Sequence, residues 1–369
     1  MYVKCLRLNN FRNYDNEEIE FSDSFNIIYG ENAQGKTNIL ESIFICASGR
    51  SHRTNRDADL IKFGRQGYAV NLQVNRKDKE TLIQVIYKKD GKKSVKINDI
   101  PVKKIGNLMG HLNVVMFSPE DLLIIKEGPS ERRRFLDITI SQLKPSYFYD
   151  LQQYAKIITQ RNTLLKEIEN KKGLLDTLEI WNNNIVKTGA RIIKTRRNFV
   201  NKLSKIAEEK HRKITNGTEN LRLKYACSFN IENCESTEEI EKEFEKALEK
   251  VYESELKRCT TLVGPQRDDC EILLNGMNIK LYGSQGQQRS AVLSMKLSEI
   301  DIMKEDTGES PILLLDDVMS ELDSSRQEYL FESIKSIQTF ITCTEKSFFE
   351  GKVPEKSSKF FRVKNGKIL

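Results

Sequence analysis

The apolar residues of the chain form short continuous runs near both ends and a helical pattern through the middle. The segments "FNIIYG" (25–30), "PILLLDD" (311–317) and "TFITCT" (339–344) are such runs. Strands buried on both faces of a parallel sheet show continuous apolar runs, whereas half-exposed strands alternate apolar and polar residues. We therefore predict buried β-strands at these three segments.

Turn residues between alternating segments predict several β-hairpins. Asp-Gly at 90–91 and Asn-Asp at 98–99 separate short alternating segments in the N-terminal part of the chain. An Asn-Gly pair interrupts "EILLNGMNIKLYG" (271–283), and another lies in the closing segment "FFRVKNGKIL" (360–369). These dipeptides tolerate the positive φ angles that tight hairpin turns require.

The middle of the chain has a different composition. From about residue 131 to 257 it is polar and rich in Lys, Glu, Leu and Ile, which predicts helices. We expect these helices to be at most ~20–30 residues long, or ~30–45 Å by helical rise. Gly173 and "TNGTEN" (215–220) are expected to interrupt them. An α/β unit would thus be split by a helical insertion. The expected segments are an N-terminal lobe at 1–125, a helical arm domain at 126–257 and a C-terminal lobe at 258–369.

Composition limits the class of protein. The chain has 369 residues, of which 31% are charged and 38% apolar, as in a soluble protein with a strongly solvated surface. Its net charge of +7 permits nucleic acid as a partner without requiring it. The chain has seven cysteines, none in a C-x-x-C pair, and three histidines. This composition argues against a zinc site or a disulfide framework, so we expect the protein to reside in a reducing cytoplasm. No run approaches the ~20 apolar residues of a membrane span, so we expect no membrane association.

A phosphate-binding loop is predicted at "GENAQGKT" (30–37), which fits the pattern G-x-x-x-x-G-K-[ST]. A predicted strand precedes it and a helical pattern follows it. Gly30 and Gly35 let the backbone turn tightly enough to aim several N–H groups at a phosphate. Lys36 is assigned to neutralise the β- and γ-phosphates, and the Thr37 hydroxyl to bind Mg²⁺. The other residues predicted to line this ATP site are Glu31, Asn32, Ala33, Gln34 and Asn38.

Two acidic residues end the apolar run at 311–317. Ligands bind at the carboxyl ends of parallel strands, which is where Asp316 and Asp317 are expected to lie. Together with the phosphate loop, this pattern predicts that Asp316 holds Mg²⁺ through its water shell. Asp317 is assigned to orient or deprotonate the attacking water, and we take it with Lys36 as the catalytic pair.

A second glycine-containing loop begins "GSQGQQRSAVLSMKLSE" (283–299) and leads into a segment with helical apolar spacing. A loop at a helix N-terminus is an anion site, but this one has no lysine and no metal-binding hydroxyl after its glycines. It can complete a triphosphate site that another loop already holds. In P-loop ATPases of the ABC class, the two loops meet across an isologous dimer. The residues predicted to act in trans in this loop are Ser284, Gln285, Gly286 and Gln287.

These motifs resemble the RecF family, recombination-repair ATPases that are related to Rad50 and SMC proteins. "GENAQGKTN" resembles its Walker A motif, "GSQGQQRS" its signature motif, and "LLLDDVMSELD" its Walker B motif and D-loop. The other similar blocks are "GRSHRT" (49–54), "FSPEDLLIIKEGPSERRRFLD" (117–137) and "VGPQRDD" (263–269). Within these blocks, the resemblance implies that Arg53 contacts phosphate and that Asp323 of the D-loop acts in trans.

The resemblance implies an ABC-type P-loop ATPase head, with mixed sheets and helices, that is split by a helical arm domain. It implies a weak ATPase that binds ATP and Mg²⁺, uses ATP hydrolysis as a switch and forms an ATP-dependent homodimer. The dimer would bind single-stranded and double-stranded DNA, and junctions between them. It would act with RecO and RecR to load RecA in gap repair, replication and the SOS response, at the nucleoid in the cytoplasm.

The sequence also departs from the family pattern at several positions. Gln266 stands where the family usually has histidine, and Asp317 where ABC ATPases usually have the longer Glu, which would suit slow hydrolysis. Thr344 occupies the neighbourhood of the usual switch histidine. Ser118 and Glu120 stand where a glutamine loop would contact Mg²⁺.

Basic clusters are the remaining candidates for DNA contact. They lie at "ERRRF" (131–135), "RIIKTRRNFVNK" (191–202) and "KHRK" (210–213). Lysine and arginine on a helix can follow DNA phosphates, although a charged helix face balanced by nearby Glu has the same composition. The arginines that we select as DNA contacts are Arg132, Arg133 and Arg134.

Two other functions share the P-loop. A small-molecule kinase usually keeps its motifs within one compact domain, whereas here Thr37 and Asp316 stand near opposite ends of the chain. An ABC subunit of a membrane transporter would carry an LSGGQ motif and a switch histidine, and would lack a large arm. Both alternatives therefore fit the sequence less well than the RecF resemblance.

Overall fold

The computed structural model describes residues 1–77, 79–168, 175–349, 351–354 and 357–369, which form two compact units. The first unit combines Met1–Leu122 with Val292–Leu369, and the second is Leu123–Ala291. The predicted α/β class, in which both ends of the chain build one unit and the middle is inserted, is confirmed. Gly173, predicted as a helix break, lies outside the described residues.

The N-terminal segment of the first unit is mainly an antiparallel sheet with strand order β2-β1-β4-β5-β6-β7. Its elements are β1 (Tyr2–Phe11), β2 (Tyr14–Glu20), β3 (Phe25–Tyr29), α1 (Lys36–Ser48), β4 (Gly67–Arg76), β5 (Lys79–Lys88), β6 (Lys93–Ile97), β7 (Ile100–Pro101) and β8 (Val114–Phe117). Alternate residues of β4 are buried, so one face of this sheet packs on the core. The hairpins predicted at 90–91 and 98–99 join β5 to β6 and β6 to β7.

The second unit packs helices with a small antiparallel sheet of order β11-β10-β9. Its elements are α2 (Leu123–Lys126), α3 (Pro129–Leu143), α4 (Pro145–Ile168), α5 (Leu175–Ile214), β9 (Leu221–Ala226), α6 (Thr237–Arg258), β10 (Asp269–Leu274), β11 (Met277–Asn278) and α7 (Ile279–Tyr282). The unit therefore extends beyond the expected boundary at 257. The reason is that β10 pairs along its whole length with β9, which keeps this strand in the inserted unit.

Helix α5 is 40 residues long, about 60 Å by helical rise, so the expectation of ~20–30 residues was wrong. Gly189 lies in its interior without ending it. A Cβ built at Gly189 would lie 2.6 Å from Cε1 of Phe244 and 3.0 Å from Cε2 of Tyr154. The glycine therefore serves close packing against neighbouring aromatic rings, and a continuous helix is maintained around it.

The C-terminal segment completes the sheet of the first unit. Its elements are α8 (Gln285–Thr307), which begins in the second unit, β12 (Ile312–Asp316), α9 (Ser324–Ile334), β13 (Thr339–Cys343), β14 (Lys359–Lys364) and β15 (Lys367–Ile368). The sheet order is β15-β14-β3-β13-β12-β8, with every pair parallel except β14–β15. The three apolar runs predicted as buried strands are its neighbouring strands β3, β13 and β12. Their carboxyl ends share one edge, where the chemistry should lie.

Candidate functional site

The loop Gly30–Gly35 connects β3 to α1, as predicted, and both of its outer glycines are required by space and conformation. Gly30 has φ of 147°, and a Cβ there would lie 2.4 Å from the Val363 carbonyl oxygen. Gly35, with φ of 115°, would place a Cβ 2.5 Å from Nδ2 of Asn13. Glu31, Asn32 and Ala33 form the exposed rim of the loop. The backbone thus keeps a side-chain-free cradle in front of the helix N-terminus.

Two turns hold this cradle from outside, a role that the sequence patterns did not reveal. Nδ2 of Asn13 donates to the Gln34 carbonyl oxygen at 2.6 Å, and the Tyr14 hydroxyl donates to that of Gly35 at 3.0 Å. From the closing hairpin, the Gly366 amide donates to the Gln34 carbonyl at 3.1 Å. The Asn365 amide donates to Oε1 of Gln34 at 2.7 Å. The Asn-Gly signal at 365–366, predicted only as a turn, therefore also anchors the phosphate loop.

Lys36 lies folded over the loop. Its Nζ donates to the carbonyl oxygens of Gly30 at 2.7 Å and Glu31 at 2.9 Å, and the residue is 8% exposed. Burial lowers the pKa of Lys36, while the nearby Asp317 and Asp316 oppose that shift. An ammonium held by two carbonyl dipoles at a helix N-terminus is a site for an anionic ligand.

Thr37 and Asp316, predicted to bind Mg²⁺ from opposite ends of the chain, are in direct contact. Oγ1 of Thr37 donates to Oδ1 of Asp316 at 2.9 Å. Thr342 of β13, which the sequence patterns missed, donates to the same oxygen at 2.7 Å and accepts from the Asp317 amide at 2.9 Å. Hydroxyl and carboxylate oxygens are ligands that suit Mg²⁺, so these residues fit the ion. Asp317 itself has φ of 53°, a left-handed conformation that ends the strand directly after Asp316.

Arg53 is held beside the start of α1 by a buried carboxylate. Glu41 is fully buried and accepts from Nε and Nη2 of Arg12 at 2.9 and 2.8 Å. Burial is the largest influence and acts to raise the pKa of Glu41, but the hydrogen bonds from Arg12 and Ser51 and the positive charges of Arg12 and Arg53 together outweigh it, so the pKa is lowered. Nη1 of Arg53 lies 3.7 Å from Oε2 of Glu41 and donates to Oδ1 of Asn38 at 3.2 Å. Arg53 therefore lies next to the predicted ATP residue Asn38.

The signature loop lies in the second unit, at the start of α8. The Ser284 amide donates to Oε1 of Gln287 at 2.8 Å, and the Gln287 amide lies 3.3 Å from Oγ of Ser284. This reciprocal pair is a capping box, which orders the N-terminus of the helix. Ser284 and Gln285 are exposed, while Gly286 and Gln287 are half-buried. The loop thus presents a hydroxyl and a helix N-terminus to solvent.

Asp323 of the predicted D-loop caps α9. Its Oδ1 accepts from the Arg326 amide at 2.9 Å, and its side chain is 55% exposed. Thr344 and Glu345 follow β13 and line a cavity of about 340 Å³ beside Gly30 and Gln34. The same two residues also line a cavity of about 460 Å³ that includes Asp317. Thr344, in the place of the family's switch histidine, is thus near both the loop and the second acidic residue.

Gln266 and Ser118, two other positions that depart from the family pattern, have structural partners. Oε1 of Gln266 accepts a hydrogen bond from the Tyr154 hydroxyl at 2.6 Å. Nε2 of Gln266 donates to the Val263 carbonyl oxygen at 2.9 Å. In the "FSPED" block, the Ser118 amide donates to Oδ2 of Asp121 at 2.8 Å. Burial raises the pKa of Asp121 to about 6.

Two of the three arginines proposed to contact DNA hold the second unit together. Arg132 makes a bidentate pair with Asp269 at 2.6 and 2.9 Å, and Nη1 of Arg133 donates to the Asp268 carbonyl at 2.7 Å. Arg134 lies 3.8 Å from Glu131, and its side chain is 46% exposed. Arg132 and Arg133 thus behave like residues of a charged helix face that packs against β10 of the same unit. Whether the cluster touches DNA stays a prediction.

The first unit defines a P-loop ATPase of the ABC type, with a phosphate loop after a central parallel strand and an acidic strand end beside it. The family described as RecF/RecN/SMC N terminal domain matches residues 2–368, and the chain belongs to this family of ATPases. The RecF resemblance is thereby confirmed. No helix in the described part of the chain is long and apolar enough to cross a membrane.

Relatives and solved structures agree with this family. The chain is 55% identical over 352 residues to "DNA replication and repair protein RecF" of Acetivibrio thermocellus, covering 95% of both chains. It is 54% identical over 371 residues to the protein of that name from Ruminiclostridium cellulolyticum, covering 100% and 99%. The recombination mediator protein RecF-ATP in the RecFOR pathway is 40% identical with a TM-score of 0.92, over 100% of this chain and 97% of that one. An SMC head bound to the C-winged helix domain of ScpA is similar in fold alone, at 19% identity, with a TM-score of 0.57 over 100% of this chain and 97% of that one.

Thr342→Val should lower ATP turnover by about tenfold or more, because it removes the donor to Asp316 and leaves the Asp317 amide without its acceptor. The shape of the side chain is preserved. Thr342→Ser keeps the hydroxyl and should stay close to wild type. Steady-state phosphate release with both variants measures the difference. Equal turnover in the valine variant and wild type would remove Thr342 from the site.

Proposed function

We propose that the chain is an ATP-switched DNA clamp of the RecF type, in which ATP closes two copies over DNA and hydrolysis reopens them. The observation that carries this proposal is the contact of Thr37 with Asp316 beside Lys36, which brings the residues predicted to bind phosphate and Mg²⁺ together. The signature loop has no lysine and exposes Ser284. One loop holds the triphosphate, and the other has only the groups that complete it.

An isologous homodimer brings these halves together. In a two-fold arrangement each copy offers the same pair of surfaces, so the signature loop of one faces the phosphate loop of the other. Ser284, the Gly286 amide and the helix N-terminus would then meet the γ-phosphate in trans, in the loop that Gln285 and Gln287 complete. Asp323, at the exposed start of α9, belongs to the D-loop and would lie at the same dimer interface.

Hydrolysis would use the residues that meet at the carboxyl ends of β3 and β12. Bound Mg²⁺ supplies charge neutralisation on the phosphates. Thr37 and Asp316 provide oxygens for the ion, and Lys36 exchanges its two carbonyl partners for phosphate oxygens. Asp317 orients the attacking water. Its side chain is one methylene shorter than the usual glutamate, which favours slow turnover suited to a switch.

A role of this chain in binding DNA is supported by the names of its relatives and permitted by its net positive charge. The relatives are named for DNA replication and repair, and the similar ATP-bound protein is described as a recombination mediator of the RecFOR pathway. We propose that this chain binds duplex and single-stranded DNA and their junctions at the nucleoid. There it would work with RecO and RecR to load RecA in gap repair, replication and the SOS response.

Wild type should dimerise only with ATP and Mg²⁺, whereas Lys36→Arg and Ser284→Arg should each remain monomeric. The first variant loses its own triphosphate site and the second blocks its partner's. An equimolar mixture should recover dimers, because one of the two composite sites is then intact. Sedimentation velocity measures all four samples, with Ser130→Arg as an exposed control in the second unit. A wild type that binds ATP tightly yet stays monomeric at every concentration would refute the clamp.

Asp317→Asn should keep ATP-driven dimerisation and lose turnover. The amide preserves the size of the side chain but is a poor base for the attacking water. Sedimentation with ATP and single-turnover hydrolysis, measured on the same preparation, separate the two properties. Hydrolysis at the wild-type rate would show that Asp317 does not have the assigned role.

Arg134→Gln should reduce the slope of log affinity against log salt by about 0.9 for duplex DNA if Arg134 contacts one phosphate. Arg132→Gln is expected to lower the free energy of unfolding instead, because it breaks the pair with Asp269. DNA titrations at several salt concentrations, alongside urea unfolding, distinguish the two effects. A wild-type slope for Arg134→Gln would assign that arginine to the solvated surface.

A further inference from the structure

A chain of hydrogen bonds joins the end of helix α5 to the signature loop, entirely within the second unit. Nε2 of His211, in the last turn of α5, lies 3.0 Å from Oε2 of Glu219. The other carboxylate oxygen, Oε1, accepts from Nε2 of Gln287 at 2.9 Å. Oε1 of Gln287 in turn accepts from the Ser284 amide at 2.8 Å.

We propose that Glu219 is a positioning residue for the signature loop, and that His211 fixes Glu219 in the required orientation. Glu219 acts through Gln287 on Ser284 and does not itself touch the nucleotide. This inference rests on the proposed function, in which Ser284 acts in trans. Its new content is the pair of residues, outside the motif, that set the shape of the loop.

The side-chain amide of Gln287 explains why a carboxylate is needed at position 219. Its oxygen accepts from Ser284 while its nitrogen donates to Glu219, so both ends of the side chain are used at once. Turning the amide over would place two donors together at Ser284 and two acceptors together at Glu219. Glu219 therefore selects the one amide orientation that keeps the Ser284 amide bonded.

The carboxylate is itself held on a rigid base. The backbone amide of Asn220 donates to Oδ1 of Asn275 at 2.8 Å, and the backbone amide of Asn275 donates to the backbone carbonyl oxygen of Asn220 at 2.8 Å. His211 is fully buried, and its carbonyl oxygen accepts from the Thr215 hydroxyl at 2.8 Å. The segment 215–220, predicted only as a break between helices, thus places a fixed acceptor beneath the signature loop.

The negative charge of Glu219 has a cost that the ordering of the signature loop must offset. A carboxylate near a loop that must approach a triphosphate is unfavourable by Coulomb repulsion alone. Here both of its oxygens are engaged, one by His211 and one by Gln287. A loop that is already ordered loses less conformational freedom when it meets its ligand, and this benefit offsets the unfavourable charge.

An exchange of amide and carboxylate tests the proposal. Gln287→Glu keeps an acceptor for the Ser284 amide but sets a carboxylate against Glu219, and should weaken ATP-dependent dimerisation by about tenfold or more. Adding Glu219→Gln should restore it. The amide introduced at 219 donates to the new carboxylate, while its oxygen still accepts from His211. Sedimentation equilibrium with ATP and Mg²⁺ gives the dimer dissociation constants.

Exposed positions of the second unit provide matched controls. Gln153→Glu on α4 and Glu245→Gln on α6 make the same chemical changes away from the loop, and both should dimerise like wild type. Every variant should bind a fluorescent ATP analogue with wild-type affinity when monomeric, because the phosphate loop lies in the first unit. A merely structural defect would not spare ATP binding or be reversed by the second substitution.

Hydrogen exchange of the peptide containing Ser284 reports the loop directly, without ATP. Gln287→Glu should speed exchange of the Ser284 amide, and the double variant should slow it again. If wild type fails to dimerise with ATP, the proposed function falls and this inference falls with it. If wild type dimerises but Gln287→Glu dimerises equally well, or the double variant is not rescued, only the positioning role of Glu219 is overturned.

Discussion

The hydrogen bond from Thr37 to Asp316 is the contact on which the site depends, because it joins two segments at opposite ends of the chain. Thr37 is the second residue of α1, which follows β3 and the phosphate loop, and Asp316 ends β12. Thr342, from the strand between β3 and β12, donates to the same carboxylate oxygen. Three neighbouring parallel strands therefore determine one oxygen-rich corner, and the order of the strands decides which residues can meet there.

Around that corner, contacts within the protein fix the conformation of the phosphate loop. The Asn13 side chain and the closing hairpin hold the Gln34 carbonyl from two sides. Gly30 and Gly35 leave no room for a side chain at either end of the loop. A loop held in this way needs little reorganisation to bind a triphosphate, and Lys36 lies over the loop.

Three arginines of the second unit are used for its internal structure. Arg161 and Glu255 form a fully buried pair at 2.6 Å, and Arg196 is buried against Asp137 at 2.8 Å. Arg132 is paired in a similar way with Asp269. Basic clusters in the sequence therefore overstate the positive surface that is free to meet DNA, since a buried arginine needs a partner that composition does not reveal.

The sequence by itself determined the parts that depend on local pattern. Continuous apolar runs gave the buried strands, Asp-Gly and Asn-Gly pairs gave the hairpins, and the spacing of Gly30, Gly35, Lys36 and Thr37 identified the phosphate loop. The family followed from the combination of its motifs. Each of these signals lies within a few residues, because backbone geometry and hydrophobic periodicity are local properties.

Only the tertiary structure decided which distant residues meet. Thr342 at Asp316, Asn13 at Gln34 and Glu219 at Gln287 are contacts between residues whose neighbours in sequence give no sign of the partner. The tertiary structure also assigned β10 to the inserted unit through its pairing with β9, and it kept α5 continuous through Gly189. Strand pairing and side-chain packing are set by the whole fold, so the partners of a polar side chain cannot be derived from its local pattern.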